Sequence, residues 1–207
     1  MSKNEELINE FKKSLSITVR SISKSEDIEV NFVSENSSIN GKKIDLINPN
    51  LASLEDNLNY IRADADCKAL EIRLHNKEIH NKFIGENEVT KKIFNALEQS
   101  RFEAKGSEIF KGIKSNLLNK HIIDIDKKID DKNTDDELIS AFKYVSFGEL
   151  TNQELGDKYL LYKKILKNKI GKKYDKYFDK LRKNLNDQEK FAKNIRDLLD
   201  NLGFNDN

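Results

Sequence analysis

Residues 28–49 read IEVNFVSENSSINGKKIDLINP. Apolar residues alternate with polar ones at the start of this stretch, and this two-residue period is typical of a short β-strand. The Asn40-Gly41 pair is a strong signal for a two-residue hairpin turn, and apolar residues flank it on both sides. The stretch therefore predicts a small antiparallel β-ribbon that ends at Pro49. The residues that carry this pattern are Ile28, Val30, Phe32, Ile39, Ile44 and Leu46.

The rest of the chain carries the 3.6-residue apolar spacing of helices. Pro49 is the only proline, so long helices are permitted elsewhere. Gly106-Ser107 predicts a helix break, with Ser107 capping the next helix, and Gly203 is the expected glycine after the last one, which begins at either Tyr174 or Asn186. We expect a mainly α (α+β) fold in one domain over 1–207. Residues 1–50 are expected to form a helix and the ribbon, and residues 51–204 to be helical.

Composition limits the classes of function. The net charge is +1, so the whole chain is not a general binder of polyanions. A single cysteine, Cys67, supports neither an internal disulfide nor a cysteine-rich zinc site, which indicates a reducing, cytoplasmic compartment and a packing role for the thiol. No apolar run is long enough to cross a bilayer and residues 1–10 do not resemble a signal peptide, so no membrane association is expected.

Motifs for nucleotide and acyl chemistry are missing from the sequence. It contains no Gly-x-x-x-x-Gly-Lys-Ser/Thr loop, no Gly-x-Gly-x-x-Gly loop and no Gly-x-Ser-x-Gly elbow. The Asp-x-Ser-x-Ser segment that opens a von Willebrand A metal site is missing too. We therefore expect no catalytic residue and no cofactor in this chain.

The densest polar cluster lies between residues 62 and 80. Glu71 and His75 are four residues apart, which places them on one helix face, and His80 follows five residues later. These three are the candidate metal ligands, but a zinc site usually needs three convergent ligands and the His-Glu-x-x-His signature is missing. A satisfied polar cluster or a partner contact is favoured over a metal site. The remaining members of the cluster are Arg62, Asp64, Asp66 and Arg73.

A lysine-rich stretch covers residues 158–183, interleaved with tyrosines and opposed by few acidic residues. Such a pattern fits a nucleic-acid or acidic-partner surface, or simply the solvated face of helices whose aromatic residues point to the core. The solvated face is favoured over nucleic-acid binding, and an acidic protein segment is the better functional alternative. Its cations are Lys158, Lys163, Lys164, Lys167, Lys169, Lys172, Lys173, Lys176, Lys180, Arg182 and Lys183.

Several segments, in order along the chain, resemble the CobT subunit of the aerobic, ATP-dependent cobaltochelatase. The segment from Leu97 to Gly106 is the most specific, whereas 124–173 is divergent. The resembling segments are Thr18–Ile22; Glu29–Phe32 with Asn40-Gly41; Arg62–Asp66 with Ala69, Leu70, Arg73, His75 and His80; Leu97–Gly106 with Gly112, Ile113, Asn116 and Leu117; and Asp187–Leu199.

The resemblance implies a function that the residues alone do not. That complex inserts Co(II) into hydrogenobyrinic acid a,c-diamide in cobalamin biosynthesis. A large subunit (CobN) holds the corrin, an AAA+ ATPase subunit (CobS) hydrolyses ATP, and CobT assembles with the ATPase in a chaperone-like ring. ATP with Mg and Co(II) thus belong to the complex rather than to this chain. Family members continue through an acidic linker into a von Willebrand A domain, so this sequence is expected to represent their N-terminal domain.

We therefore expect a non-catalytic assembly module that binds CobS, CobN or a second copy of itself. The residues expected to contact a partner are Arg62, Asp64, Asp66 and Arg73. Two alternatives stay open: a degenerate metallohydrolase-like unit built on Glu71, His75 and His80, and a nucleic-acid-binding module built on the lysine-rich stretch.

Overall fold

The computed structural model describes residues 2–51, 58–127 and 134–204. It confirms a mainly helical fold with a small sheet near the N-terminus. The elements are α1 (Lys3–Ser23), β1 (Glu29–Val33), β2 (Ser38–Asn40), β3 (Lys43–Ile47), α2 (Leu58–Leu74), α3 (Lys77–Phe83), α4 (Glu88–Ile109), α5 (Lys111–Lys127), α6 (Thr134–Thr151), α7 (Asp157–Ile170), a short 3₁₀ helix (Gly171–Lys173), α8 (Tyr174–Lys183) and α9 (Gln188–Asn201).

The chain divides into two compact units. Unit one comprises Met1–Leu74 and Phe110–Lys120, and unit two comprises His75–Ile109 and His121–Asn207. Helix α2, which the sequence assigns to the helical part beginning at residue 51, lies in the same unit as the sheet. The expected single domain over 1–207 stays a prediction.

Unit one packs the sheet and helix α1 against helix α2. Helix α1 begins with a capping box, in which the Ser2 hydroxyl accepts from the Glu5 amide and the Glu5 carboxylate accepts from the Ser2 amide. The small residues of α2 allow its backbone to come close to its neighbours. The buried apolar residues of this unit include Leu15, Val19, Ile22, Ile28, Ile44, Leu46, Ala63, Ala65, Ala69, Leu70, Ile113 and Leu117.

The sheet is mixed rather than purely antiparallel. Its order is β1-β3-β2, with β2 and β3 antiparallel as the turn signal predicts, and β1 parallel to β3. The prediction of an antiparallel ribbon is therefore wrong for β1. The physical reason is that β3, with Ile44 and Leu46 buried, takes the central position, so the chain after β1 crosses to the far edge before it returns.

The hairpin turn lies one residue later than the sequence signal suggests. Asn40 pairs with Lys43, so Gly41 and Lys42 form the two-residue loop. Gly41 has a φ of 61°, and Lys42 is not among the residues with positive φ. Positive φ at the first loop position is the requirement of a type II′ turn, which glycine meets without steric cost.

Unit two is entirely helical among the described residues. Helix α4 packs along α6, α7 packs on α6, and α9 contacts α3, α4 and α8. The last helical segment divides in two: α8 begins at Tyr174, α9 begins at Gln188 with Asp187 as its N-cap, and Gly203 follows α9 with positive φ. Across residues 2–51, 58–127 and 134–204, no helix has both the length and the apolar character that crossing a membrane requires.

The predicted break at Gly106-Ser107 is wrong. Helix α4 continues through both residues to Ile109, and Phe110 separates it from α5. The Ser107 hydroxyl donates to the Glu103 carbonyl at 2.9 Å, so the side chain bonds back into its own helix instead of capping the next one.

Candidate functional site

The four residues expected to contact a partner all lie on α2, but their side chains have different environments. Arg62 is exposed, whereas Asp64 is half-buried and accepts a hydrogen bond from the Ser37 hydroxyl. Arg73 donates to the Ile22 carbonyl at 2.9 Å and lies over the Phe110 ring. Three of the four thus make bonds within unit one, and Arg62 is the member that faces solvent.

Asp66 is the buried member of this group. Only 3% of its surface is exposed, and the Asn116 amide donates to its carboxylate at 2.8 Å. Burial raises the pKa of the Asp66 carboxyl to about 6, against the smaller opposing effects of Asn116 and Arg62. This carboxyl joins helix α2 to the first part of α5 inside unit one.

Two of the three candidate metal ligands come together in unit two. His75 and His80 lie with their ring centroids 4.8 Å apart, and Glu98 of α4 joins them. One ligand atom from each of the three lies within 4.8 Å of the others. Among the described residues, Glu71 is not part of this group, and Glu98 supplies the third ligand atom in its place. We call His75, His80 and Glu98 the His-His-Glu cluster.

Local structure brings the two histidines together. Helix α2 ends at Leu74, and Asn76 caps α3 by accepting from the amides of Glu78 and Ile79. Residues five positions apart in one continuous helix would point to different sides of it. Because the chain turns between α2 and α3, the two rings instead come together. His75 therefore lies just before the cap and His80 in the last turn of α3, with their rings edge to face.

Polar partners surround His75 and Glu98. His75 Nδ1 is 3.1 Å from Glu98 Oε2 and 3.2 Å from Gln188 Nε2 of helix α9. Arg101, one turn after Glu98 on α4, directs Nε to both carboxylate oxygens at 3.2 and 3.3 Å. The carboxylate is thus held in place by a buried guanidinium.

Aromatic rings form the apolar side of the cluster. The Phe94 ring meets His80 and the Phe102 ring meets His75, both edge to face. Burial, and then the neighbouring His75, lower the pKa of the His80 imidazole, against the opposing effects of Glu98 and Asn95. The His80 ring is consequently neutral at pH 7, and His80 Nδ1 is a buried atom with no hydrogen-bond partner in the structure.

The third histidine forms a separate buried pair. His121 Nε2 is 2.7 Å from Glu103 Oε2, and its ring stacks on Phe147 with 4.4 Å between centroids. Gln99 donates to the other Glu103 oxygen at 2.8 Å. Cys67 is buried on α2, as expected for a packing thiol.

The lysine-rich stretch forms α7, the 3₁₀ helix and α8. Some of its cations turn inward: Lys163 pairs with Glu149 at 2.6 Å, and Lys158 donates to the Asp126 carbonyl. The tyrosines of the stretch that the sequence directs toward the core, among them Tyr159 and Tyr174, are buried. Lys164 and Lys167 remain exposed on the outer face of α7, a strip that covers about 120° of the helix. This face is defined by Asp157, Leu160, Leu161, Lys164, Lys167 and Asn168.

The outer face of α7 carries two adjacent leucines in solvent. Leu160 is 44% exposed and Leu161 is 64% exposed. Lys164 and Lys167 follow them on the same strip, and Lys167 also lies over the Tyr174 ring. Exposed apolar residues rimmed by charge are typical of protein-binding surfaces.

Sequence reasoning missed Glu98 and Arg101. A usable signal was present, because Glu98 follows Phe94 by four residues and Arg101 follows Leu97 by four, so both charges lie on the buried face of α4. Charged residues on an apolar face are rarely buried unless they are paired.

Comparison with known proteins gives one family. The family model described as "Cobalamin biosynthesis protein CobT" matches residues 5–207. Neither the curated proteins nor the solved structures give a significant match. Because the family model covers nearly the whole sequence, the chain belongs to the CobT family of cobalamin biosynthesis proteins.

Proposed function

We propose that this chain is a non-catalytic assembly module of an ATP-dependent cobaltochelatase, and that it binds the AAA+ ATPase subunit (CobS) through the outer face of α7. Membership of the CobT family supports a role in cobalamin biosynthesis. The observation that carries the docking proposal is the exposed pair Leu160 and Leu161 beside Lys164 and Lys167.

The chemistry of this face defines the partner surface. Two leucines supply apolar surface, and burying it against a partner stabilises the complex by about 25 cal/mol per Å². The two lysines add positive charge, which steers an acidic partner toward the face and fixes its orientation. The partner surface should therefore combine acidic residues with an apolar groove. Asp157 lies at the start of the strip, and its carboxylate would repel acidic residues of the partner at that end.

The alternative partner region on α2 has weaker support. Asp64, Asp66 and Arg73 already bond to groups of unit one, so a partner would have to compete with these bonds. Arg62 stays available at the surface, where it lies 6.0 Å from the Phe11 ring. We propose Arg62 as a secondary contact, and CobN or a second copy of the chain as secondary partners. We further propose a cytoplasmic location, on the basis of the single cysteine.

The test is co-elution of the chain with CobS, and separately with CobN, with and without ATP. The test variants are Leu160→Ala with Leu161→Ala, and Lys164→Glu with Lys167→Glu. Helix α1 offers a matched control, because it also exposes a lysine and an apolar residue one turn apart, Lys13 and Ile17. The control variants are Ile17→Ala and Lys13→Glu.

We expect co-elution with CobS that both test variants reduce at least ten-fold and both control variants leave unchanged. Loss of binding in the control variants alone would transfer the contact to α1. No binding to either subunit would refute the assembly role. Duplex DNA or RNA binding whose affinity falls steeply with salt, in the absence of subunit binding, would favour the nucleic-acid alternative.

A further inference from the structure

We propose that the His-His-Glu cluster binds one divalent transition-metal ion of the class that accepts nitrogen and oxygen ligands, such as Zn²⁺ or Co²⁺. The sequence favours a satisfied polar cluster here because it offers two histidines with no third convergent ligand. The structure supplies that third ligand from α4, in the form of Glu98. The inference does not rest on the assembly role and is tested separately.

The spacing of the ligand atoms fits a metal ion. Zinc bonds to histidine nitrogen and carboxylate oxygen are about 2.0–2.2 Å long, so tetrahedral ligand atoms lie about 3.4 Å from one another. His75 Nδ1 and Glu98 Oε2 are 3.1 Å apart, and all three ligand atoms lie within 4.8 Å. The separations in the cluster, from 3.1 Å up to 4.8 Å, bracket the one that a tetrahedral metal site requires.

Competing contacts at His75 Nδ1 give the second argument. Gln188 is fixed by the backbone of Asn76, from which its Oε1 accepts and to which its Nε2 donates. Its second N–H then faces His75 Nδ1, which must carry a lone pair to accept it. Glu98 Oε2 needs a proton on the same nitrogen. A cation bound by Nδ1 and the carboxylate would take the place of that proton, and the second N–H of Gln188 would then have to leave Nδ1.

His80 gives the third argument. Its Nδ1 is buried and has no hydrogen-bond partner in the structure, although buried polar atoms are nearly always paired. An imidazole nitrogen with a free lone pair beside another imidazole and a carboxylate is the donor arrangement that borderline divalent metals prefer. A metal ion would supply the missing partner.

The charges around the cluster are compatible with a bound cation. Arg101 occupies part of the Glu98 carboxylate, but a carboxylate has about four acceptor positions and can bind a metal while it accepts from a guanidinium. Carboxylates that bind metals are commonly held by such hydrogen bonds. The positive charge of Arg101 weakens the attraction for the metal, and a water molecule would complete the coordination.

The experiment uses the full chain after treatment with a chelator and dialysis. Zn²⁺ is titrated and the bound metal is counted by elemental analysis, and Co²⁺ is titrated while its visible absorption is recorded. We expect one ion per chain, an intense tetrahedral Co²⁺ spectrum and a metal-dependent rise in melting temperature. His75→Ala, His80→Ala and Glu98→Gln should each lower the Zn²⁺ affinity at least ten-fold.

Glu71→Gln and His121→Gln are the matched controls, because each changes a residue of the same type outside the cluster. Circular dichroism establishes that each variant is folded, and His80→Ala keeps the test decisive if Glu98→Gln does not fold, because His80 is only half-buried. Absence of bound metal in the wild-type chain would overturn the proposal. Binding that persists in the variant with both His75→Ala and His80→Ala would overturn it as well.

Discussion

Replacing Gly148 by alanine tests how closely α6 packs against the loop and helix that follow it. A Cβ atom at Gly148 would lie 2.6 Å from the Gln153 carbonyl oxygen and 2.6 Å from the nearest carbon of the Tyr159 ring. Both separations are below any normal van der Waals contact. The substitution therefore forces one of the two neighbours to move.

Neither neighbour can move freely. The Gln153 amide donates to the Gly148 carbonyl at 2.9 Å, which fixes the turn after α6. Tyr159 is buried, and its hydroxyl donates to Glu149 at 2.7 Å. Overpacking of this kind costs about 1–3 kcal/mol, and the two anchors favour the upper end. Alanine in a helix interior returns about 1 kcal/mol relative to glycine, so the net loss is about 2 kcal/mol.

Thermal unfolding followed by circular dichroism measures this effect. For a chain of this length, a loss of about 2 kcal/mol lowers the melting temperature by about 4–8 °C. Gly112→Ala is the matched control, because Gly112 is also helical and has no atom within 4 Å of the added Cβ. The control should raise the melting temperature by up to about 4 °C. If Gly148→Ala is as stable as the wild type, the close packing of α6 described above is wrong.

Three further substitutions test individual contacts. Because the pKa of Asp66 rises from 3.8 to about 6 on folding, the stability of the wild type should fall by about 2 kcal/mol as the pH rises from 4 to 6. Asp66→Asn should abolish this fall in urea denaturation, and a variant with the same pH profile as the wild type would contradict the burial of this carboxyl. Glu103→Ala should cost about 3 kcal/mol because it removes the partner of buried His121, whereas Glu103→Gln, which can still hydrogen-bond, should cost less than half as much; equal losses would argue against the pair. Asn76→Ala should cost about 1 kcal/mol by removing the α3 cap, and Asn76→Asp should restore the stability in the same assay.

The fold class could be predicted from the sequence because it depends on local periodicity. The alternation at residues 28–32 and the turn signal near Gly41 located the sheet, and apolar spacing located most helices. The direction of β1 relative to β3 could not be predicted in this way, since alternation is identical for parallel and antiparallel strands. It is decided by which strand occupies the centre, and that depends on packing against helices distant in sequence.

The helix break illustrates a different limit. Gly106 and Ser107 have weak helix propensity, yet α4 continues through them because both are buried in a helix packed within unit two. Tertiary burial outweighs a local preference of about 1 kcal/mol. The same reasoning explains Glu98: His75 and His80 were found from local spacing, but the residue that completes their cluster lies 23 positions after His75 and is brought there by folding.

The order in which unit one is assembled from the chain has a consequence for its synthesis on the ribosome. Asp66 and its hydrogen-bond donor Asn116 are 50 residues apart, and residues 75–109 between them belong to the other unit. At about 5–20 residues per second, translation separates the two by about 3–10 s. During that interval the Asp66 carboxyl of the nascent α2 lacks its hydrogen-bond donor, the Asn116 amide. Unit one is therefore completed only after α4 has been synthesised, and a fragment ending at residue 74 lacks part of its own core.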